Sequence, residues 1–133
     1  MLRLLPGVAA AALVIVFAIV LLWPVGAFAA TCGFASHYGS ESGSVTANGE
    51  RFRPAGLTAA SKSLPFGTVL EVTMLDPRPK MKRFYGRKVT VRVNDRGPYV
   101  AGRFLDLSTG AARRIGLTTS GVSRVCVVRT RPP

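Results

Sequence analysis

Carboxylates are scarce in this sequence of 133 residues. Only six aspartates and glutamates stand against 18 lysines and arginines, which gives a formal net charge of +12. Such an excess of positive charge says little about the fold, but it attracts anionic polymers and anionic surfaces. Because the acids are so few, each one can be weighed separately as a candidate for acid–base chemistry.

Cysteine and histidine are scarcer still. Two cysteines and one histidine are too few for a zinc site, so we expect no metal and no other cofactor. Cys32 and Cys126 lie near the two ends of the segment that follows residue 30. In an exported protein an even number of cysteines favours a disulfide, with two buried thiols as the alternative. That bridge would close almost the whole domain, for which chain entropy gives about 4–5 kcal/mol.

One long apolar run is present, Val8–Trp23, close to the N-terminus. A short segment with a single arginine precedes it, and the letters PVG and then AFA follow it. This order predicts a secretory signal peptide over residues 1–29, with an uncleaved membrane anchor as the alternative. Either way, the remainder lies in the periplasm or cell envelope. This location argues against nucleic acid as the partner and favours anionic wall polymers or lipid headgroups.

The rest of the sequence alternates apolar and polar residues in short segments separated by glycines. Six such segments predict strands over residues 33–38, 57–60, 68–74, 88–94, 103–107 and 122–129. One helix is predicted over Thr109–Ile115, between Ser108 as N-cap and Gly116 as the C-terminal glycine, and a second short turn over residues 61–64. This pattern is mainly β and predicts one small closed barrel over residues 31–130.

Two features of the predicted barrel stand out in the sequence. Residues 57–74 and 103–128 share a loose order of strand, small residues, glycine and strand, as two related halves would. The segment DPRPKMKRFYGRK, residues 76–88, carries six basic residues, two prolines and two aromatic residues in a predicted hairpin loop. It is either a solvated loop or a clamp for an anionic wall or membrane surface.

Two acids lie at the ends of predicted strands. Asp95 follows the strand that ends at residue 94, and Asp106 lies between leucines in FLDLS. The ordinary interpretations are a turn residue for Asp95 and a favourable charge near the helix N-terminus for Asp106. The alternative is catalysis, since cleavage of a glycosidic bond needs a general acid and, in two-carboxylate hydrolysis, a second acid within about 5–9.5 Å. Spacing alone leaves both interpretations open.

Several motifs occur in an order that closely resembles the rare lipoprotein A family: GFASHYG, TANGERF, LTAASKSLPFGTVLEVT, VRVNDRGPYVAGRFLDLSTGAARRIG and GVSRVCV. The resemblance covers about residues 33–129. Members of this family are septal-ring lytic transglycosylases, more distantly related to expansins and barwin. The resemblance implies a six-stranded double-psi β-barrel that cleaves the MurNAc–GlcNAc bond of peptidoglycan and leaves a 1,6-anhydro end.

The resemblance also implies roles for particular residues. Asp95 is expected to be the general acid and base, with Asp106 and Glu50 in support. Residues expected to contact the glycan are Thr46, Asn48, Ser61, Asn94, Arg96, Tyr99 and His37. Two positions depart from the family pattern, because Ser61 stands where members commonly have His, and His37 where they often have Trp or Tyr. His37 is either a groove residue or a surface residue.

Three functions follow as hypotheses. The first is a monomeric, exported, endolytic peptidoglycan lytic transglycosylase. The second is a non-catalytic, expansin-like module that binds wall glycan mainly through its basic surface, with Ser61 marking lost catalysis. The third is a secreted barwin-like defence or effector protein, against which the near-complete match to the bacterial motifs argues. Release of 1,6-anhydro products separates the first hypothesis from the second.

Overall fold

The computed structural model describes residues 29–131, so the predicted signal peptide or anchor lies almost wholly outside the described residues. Within that part, no helix is both long and apolar enough to cross a membrane. Six strands form a closed barrel in the order β1-β5-β2-β4-β3-β6. They are β1 (Thr31–Tyr38), β2 (Thr58–Ser61), β3 (Val69–Met74), β4 (Lys88–Asp95), β5 (Arg103–Ser108) and β6 (Ser123–Arg131).

The helices are short, and all lie in the connections between strands. They are the 3-10 helices η1 (Ser40–Ser42) and η2 (Pro79–Phe84) and the α-helices α1 (Thr109–Ile115) and α2 (Leu117–Ser120). Helix α1 has its predicted bounds, because the Ser108 side chain accepts a hydrogen bond from the Ala111 amide and Gly116 adopts a left-handed φ of 79°. The second helix is α2, whereas residues 62–64 form a bend.

The barrel has the symmetry that its sequence echo suggested. Exchanging β1 with β4, β2 with β5, and β3 with β6 leaves the strand order unchanged. The exchange also converts one parallel pair, β1–β5, into the other, β2–β4. Of the segments that echo each other, residues 57–74 contain β2 and β3, and residues 103–128 contain β5 and most of β6. The predicted six-stranded barrel is therefore confirmed, and its strand order is symmetric under this exchange.

The interior of the barrel is filled by the apolar residues that alternate along the strands. Contributors from every strand are fully or nearly fully buried, among them Ala35, Ala59, Leu70, Val72, Val91, Val93, Leu105, Leu107 and Val125. Residues between them on the same strands point outward, because successive side chains of a strand lie on opposite faces. The predicted disulfide joins Cys32 of β1 to Cys126 of β6, across the pair of strands where the first strand meets the last.

The basic hairpin loop between β3 and β4 is anchored to the barrel. Met81 of η2 is fully buried, and Phe84 packs against the core with the guanidinium groups of Arg83 and Arg87 at 4.6 and 5.0 Å from its ring centroid. Phe84 is therefore already covered, and Tyr85, which is 56% exposed, is the aromatic residue that the loop presents to solvent. We describe this segment, residues 76–88, as the basic loop.

Candidate functional site

A β-bulge at the end of β4 brings two carboxylates to one level of the barrel. Ala59 of β2 pairs with Val93, but the next residue, Ala60, pairs with Asp95, so the bulge carries one extra residue. Such a bulge changes the direction of the following side chain. On its other side, Ala60 pairs with Asp106 of β5. Two strand spacings therefore separate the backbones of the two aspartates, about 10 Å.

Asp106 faces outward because its neighbours Leu105 and Leu107 lie in the core. Its Oδ1 atom accepts a hydrogen bond from the hydroxyl of Ser36 on β1. Ala60, which lies between the two aspartates, belongs to a small outer cluster with Tyr38 and Phe52. We call the surface formed by Ser36, Tyr38, Ala60, Asp95 and Asp106 the carboxylate face.

Asp95 is held by backbone amides at one oxygen. Its Oδ1 atom accepts hydrogen bonds from the amides of Ala47 and Arg96, each at 2.9 Å. Its Oδ2 atom accepts none of ordinary length and angle from the residues that the structure describes, although the Tyr38 hydroxyl lies close to the carboxylate. The carboxylate is thus fixed in direction while one oxygen remains available to a ligand on the half-exposed surface.

Arg96 is directed to a neighbouring loop. Its Nη1 atom donates to the carbonyl oxygens of Leu64 at 2.9 Å and Ser61 at 3.2 Å. The guanidinium also lies over the Phe66 ring, 3.9 Å from its centroid. No ion pair joins it to a carboxylate anywhere in residues 29–131. Arg96 therefore fixes the loop that follows β2, and its backbone amide, rather than its guanidinium, contacts the Asp95 carboxylate.

Tyr38 is a candidate site residue that the sequence did not single out. Its ring stacks on Phe52, with centroids 4.9 Å apart and planes 18° apart. Burial raises the pKa of its hydroxyl above the ordinary value, and the nearby charges of Asp95 and Asp106 raise it further. The buried hydroxyl makes no hydrogen bond of ordinary length and angle in the described structure. Only the strand register, which places Tyr38 two residues after Ser36, could have identified it.

The TANGE motif forms a tight turn that docks against the end of β4. Within the turn, buried Thr46 donates its hydroxyl to the Asn48 side chain at 2.6 Å, and Asn48 in turn donates to Glu50 at 2.7 Å. The Asn48 amide reaches the Asn94 carbonyl at 3.2 Å, so the turn is bonded directly to the bulged strand. Thr46 and Asn48 therefore shape the turn, and the Ala47 amide that holds Asp95 belongs to it.

Glu50 forms a two-pronged ion pair with Arg92 of β4. Its two oxygens accept from Nη1 and Nη2 of Arg92 at 2.6 and 2.8 Å, and Asn94 donates a further bond at 3.3 Å. Hydrogen bonds from Arg92, and then from Asn48, lower the pKa of Glu50 to about 2. Glu50 is therefore a fixed anion that supports the site and is poorly suited to donate a proton.

The remaining predicted residues lie in different surroundings. Ser61 is buried at the end of β2, where its hydroxyl accepts from the Leu64 amide at 3.1 Å. His37 lies on the opposite face of β1 from Tyr38. Tyr99 is 83% exposed in the loop after Asp95. In residues 29–131 no three His, Cys, Asp or Glu side chains group as metal ligands.

Comparisons with known proteins agree with this architecture. A family model described as "Lytic transglycolase" matches residues 30–127. Over 96 residues the chain is 51% identical to the "Probable endolytic peptidoglycan transglycosylase RlpA" of Nostoc sp., covering 70% of this chain and 24% of that protein. It is 48% identical to the "Endolytic peptidoglycan transglycosylase RlpA" of Campylobacter jejuni over 94 residues, which are 70% of this chain and 31% of that protein.

The solved structures of an expansin from Clavibacter michiganensis share the fold. The apo form is 28% identical with a TM-score of 0.58, and the alignment covers 79% of this chain and 52% of the expansin. A mutant of that expansin in complex with cellohexaose has a TM-score of 0.57 at 27% identity, with the same coverage. The chain spans about a quarter of the length of the Nostoc relative. By its sequence match over residues 30–127 and its closed six-stranded barrel, the chain belongs to the lytic transglycolase family of double-psi β-barrels.

Proposed function

We propose that this chain is an endolytic peptidoglycan lytic transglycosylase and that residues 31–130 form its catalytic domain. The observation that carries the proposal is the position of Asp95. A bulge turns this residue onto the outer surface, two amides fix one of its oxygens, and the other oxygen is available beside Asp106 and Tyr38. The relatives' names, which describe endolytic transglycosylases of peptidoglycan, support the same activity.

A single acid is sufficient for the reaction. The protonated Asp95 carboxyl donates its proton to the glycosidic oxygen as the bond from that oxygen to the MurNAc anomeric carbon breaks. The resulting carboxylate then accepts the proton of the same sugar's 6-hydroxyl as that oxygen bonds to the anomeric carbon. No water is consumed, and the internal nucleophile has a large effective concentration. Asp106 supports the developing positive charge on the sugar, and Glu50 holds Arg92 and the turn.

The test is substitution of Asp95 by Asn. Because the Asn side chain can accept the Ala47 and Arg96 amides through its oxygen but cannot transfer the proton, activity should fall by about 10²–10⁴-fold. The measurement is mass spectrometry of 1,6-anhydro products released from intact and from peptide-stripped peptidoglycan. The matched control, Glu71→Gln, removes an acid paired with Lys88 on the outside of β3 and should retain full activity. Failure of the wild-type chain to release anhydro ends from either substrate would overturn the proposal.

A non-catalytic, expansin-like module is the second candidate, favoured by the fold shared with an expansin and by the family His replaced by Ser61. It predicts binding to peptidoglycan without new anhydro ends. If charge supplies that binding, it collapses near 1 M salt, where the screening length is about 3 Å. Anhydro ends released by the wild type and absent with Asp95→Asn decide against this candidate.

The proposed activity implies a location in the cell envelope and a monomer bound to glycan strands. The basic loop supports a further contact with an anionic wall or membrane surface, because its exposed cations include Lys80 and Lys82 beside exposed Tyr85. The one acid of that loop, Asp76, is buried and paired with Arg78, so it does not oppose the approach of an anion. Hydrogen bonds from Arg78 lower the pKa of Asp76 well below its ordinary value.

A further inference from the structure

A concave surface lies beside the carboxylate face and has no role in the proposed proton transfer. It is a cleft of about 490 Å³ between the TANGE turn, the segment that precedes β2, and β4. Its lining is Glu50, Arg51, Arg53, Gly56, Leu57, Thr58, Arg92 and Asn94. Because three of these residues are arginines and only one is an acid, we call it the arginine cleft.

The positive charge of the arginine cleft is only partly neutralised. Both oxygens of Glu50 accept hydrogen bonds from Arg92, at 2.6 and 2.8 Å, so Glu50 neutralises that arginine. Arg51 and Arg53 are exposed, and within residues 29–131 their side chains form no ion pair and no hydrogen bond. A guanidinium offers a planar pair of donors that matches a carboxylate. The cleft can therefore accept an anionic group without losing an internal ion pair.

An unpartnered acceptor also lines the cleft. Asn94 is only 2% exposed, and its Oδ1 atom accepts no hydrogen bond in the described structure. Its orientation is set by Nδ2, which donates to the Glu50 carboxylate, an acceptor only. The hydroxyl of Thr58 is a second buried polar atom without a partner. Because buried polar groups are almost always satisfied, both atoms indicate a polar ligand that donates a hydrogen bond.

The arginine cleft and the carboxylate face lie along the same strand. Arg92 and Asp95 lie three residues apart on β4, with Asn94 between them, and three residues of a strand span about 10 Å. The TANGE turn contributes to both places, because Ala47 holds Asp95 while Glu50 holds Arg92. One extended glycan can therefore occupy both surfaces at the same time.

We propose that the arginine cleft binds a carboxylate carried by a sugar of the glycan, next to a hydroxyl or acetamido group that donates to Asn94. The ligand class is thus an acidic, N-acetylated amino sugar, and neutral glucans and plain chitin-type chains bind more weakly. This inference rests on the proposed function for the identity of the glycan, since a peptide-free peptidoglycan strand carries such a sugar with a free carboxylate in each repeat. Arg51 and Arg53 supply the selectivity, and Asp95 and Asp106 supply the chemistry.

The experiment compares three six-sugar ligands by calorimetry on the Asp95→Asn chain, which binds without cleaving. They are a peptide-free peptidoglycan fragment, chitohexaose, which has acetamido groups but no carboxylates, and cellohexaose, which has neither. At 0.15 M salt, where the screening length is about 8 Å, distant charges contribute little. The peptidoglycan fragment should bind at least about tenfold more tightly than chitohexaose, as expected for charge-assisted hydrogen bonds.

Adding Arg51→Gln and Arg53→Gln should abolish this tenfold preference and leave chitohexaose binding unchanged. The control removes two exposed arginines of α1, Arg113→Gln and Arg114→Gln, and should keep the preference. The inference is overturned if the two pairs of substitutions have the same effect, or if the fragment and chitohexaose bind equally. Anhydro release by the unsubstituted chain is measured separately, so failure of the proposed function is distinguished from failure of this inference.

Discussion

At the scale of single residues, Tyr38 links the apolar and acidic parts of the carboxylate face. Its ring packs on Phe52, and its hydroxyl lies near Asp95 and Asp106 without an ordinary hydrogen bond. A buried hydroxyl without a partner is unfavourable in the folded chain. Its position suggests that a ligand or a rearranged carboxylate provides the missing partner during the reaction.

Tyr38→Phe separates the packing of the ring from the role of the hydroxyl, because it removes only the oxygen. Stability should stay within about 1 kcal/mol of the wild type, since no hydrogen bond of ordinary length and angle is lost and the ring stacking remains. The rate of anhydro release should fall about tenfold or more if the hydroxyl positions the proton-bearing oxygen of Asp95. Urea denaturation and product release measure the two effects, and the pH dependence of release should shift as well.

The control for Tyr38 is the same change at Tyr85, which is exposed in the basic loop. Tyr85→Phe should alter neither stability nor rate. An unchanged rate with Tyr38→Phe would show that the hydroxyl has no part in the reaction and that the residue serves packing alone.

The sequence predicted the surroundings of some single residues and not those of others. The strand pattern predicted that Asp95 follows one strand and that Asp106 lies in the next, but not their distance; the structure places both on the outer surface at one level. The roles of Thr46 and Ser61 were not predictable, because both hydroxyls bond to atoms of their own turns. Such local hydrogen bonds depend on side-chain rotamers, which no sequence pattern reports.

At the scale of elements, the site depends on the docking of the TANGE turn against β4. Backbone and side-chain bonds join the turn to Arg92, Asn94 and Asp95. The turn contains no regular helix or strand, yet it supplies one of the two amides that hold the Asp95 carboxylate. Loosening the turn should therefore lower the free energy of unfolding and change the orientation of the Asp95 carboxylate.

Glu50→Gln tests this docking through its pH dependence. The pKa of Glu50 in the folded chain is about 2, below the ordinary 4.5, so the ion pair contributes fully above pH 4.5. That contribution is lost as the pH falls from about 4.5 to about 2. Because the Glu50 side chain is 38% exposed, we expect a discounted loss of about 1 kcal/mol at neutral pH and only a small remainder of it at pH 2.

Urea denaturation of the two proteins at pH 7, 4 and 2 measures the difference. Glu71→Gln is the control, since Glu71 forms a single exposed ion pair with Lys88 at 3.2 Å. Its loss at pH 7 should be about 0.5 kcal/mol or less. A deficit of Glu50→Gln that persists unchanged at pH 2 would contradict the assignment of this stability to the ion pair.

The helices and strands were predictable where a periodic pattern ended at a recognisable capping or turn residue. Strand β4 alternates valines with polar residues, and α1 begins at a serine cap and ends at a glycine, so their bounds agree within a residue. Helix η2 was not predicted, because its anchor, Met81, is one apolar residue in a basic, proline-rich segment. A single buried side chain leaves no periodicity to detect.

At the scale of the whole molecule, the barrel is closed by the pairing of its first and last strands. β1 and β6 pair antiparallel, with Cys32 opposite Cys126. Every other neighbouring pair in the barrel also joins strands distant in sequence, except β3 with β4. Such a fold has few local contacts. A link that restricts its unfolded chain should therefore add more to the free energy of unfolding than a similar link adds in a helical domain.

Replacing both Cys32 and Cys126 by Ala should lower the free energy of unfolding without changing the fold. The two cysteines are 94 residues apart, for which chain entropy gives an upper value of about 4–5 kcal/mol. Measured losses for native disulfides of small exported domains are about 2–5 kcal/mol. Because the carboxylate face involves neither cysteine, anhydro release at low temperature should be retained while the urea midpoint falls.

Reduction of the wild-type chain provides the matched control. A reductant should lower its urea midpoint to that of the double-alanine variant and should leave the variant itself unchanged. This comparison separates the covalent link from the packing of the two side chains, since reduction breaks the first and preserves most of the second. If reduction left the midpoint unmoved while the double substitution lowered it, the stability would come from packing between β1 and β6 and not from closure of the chain.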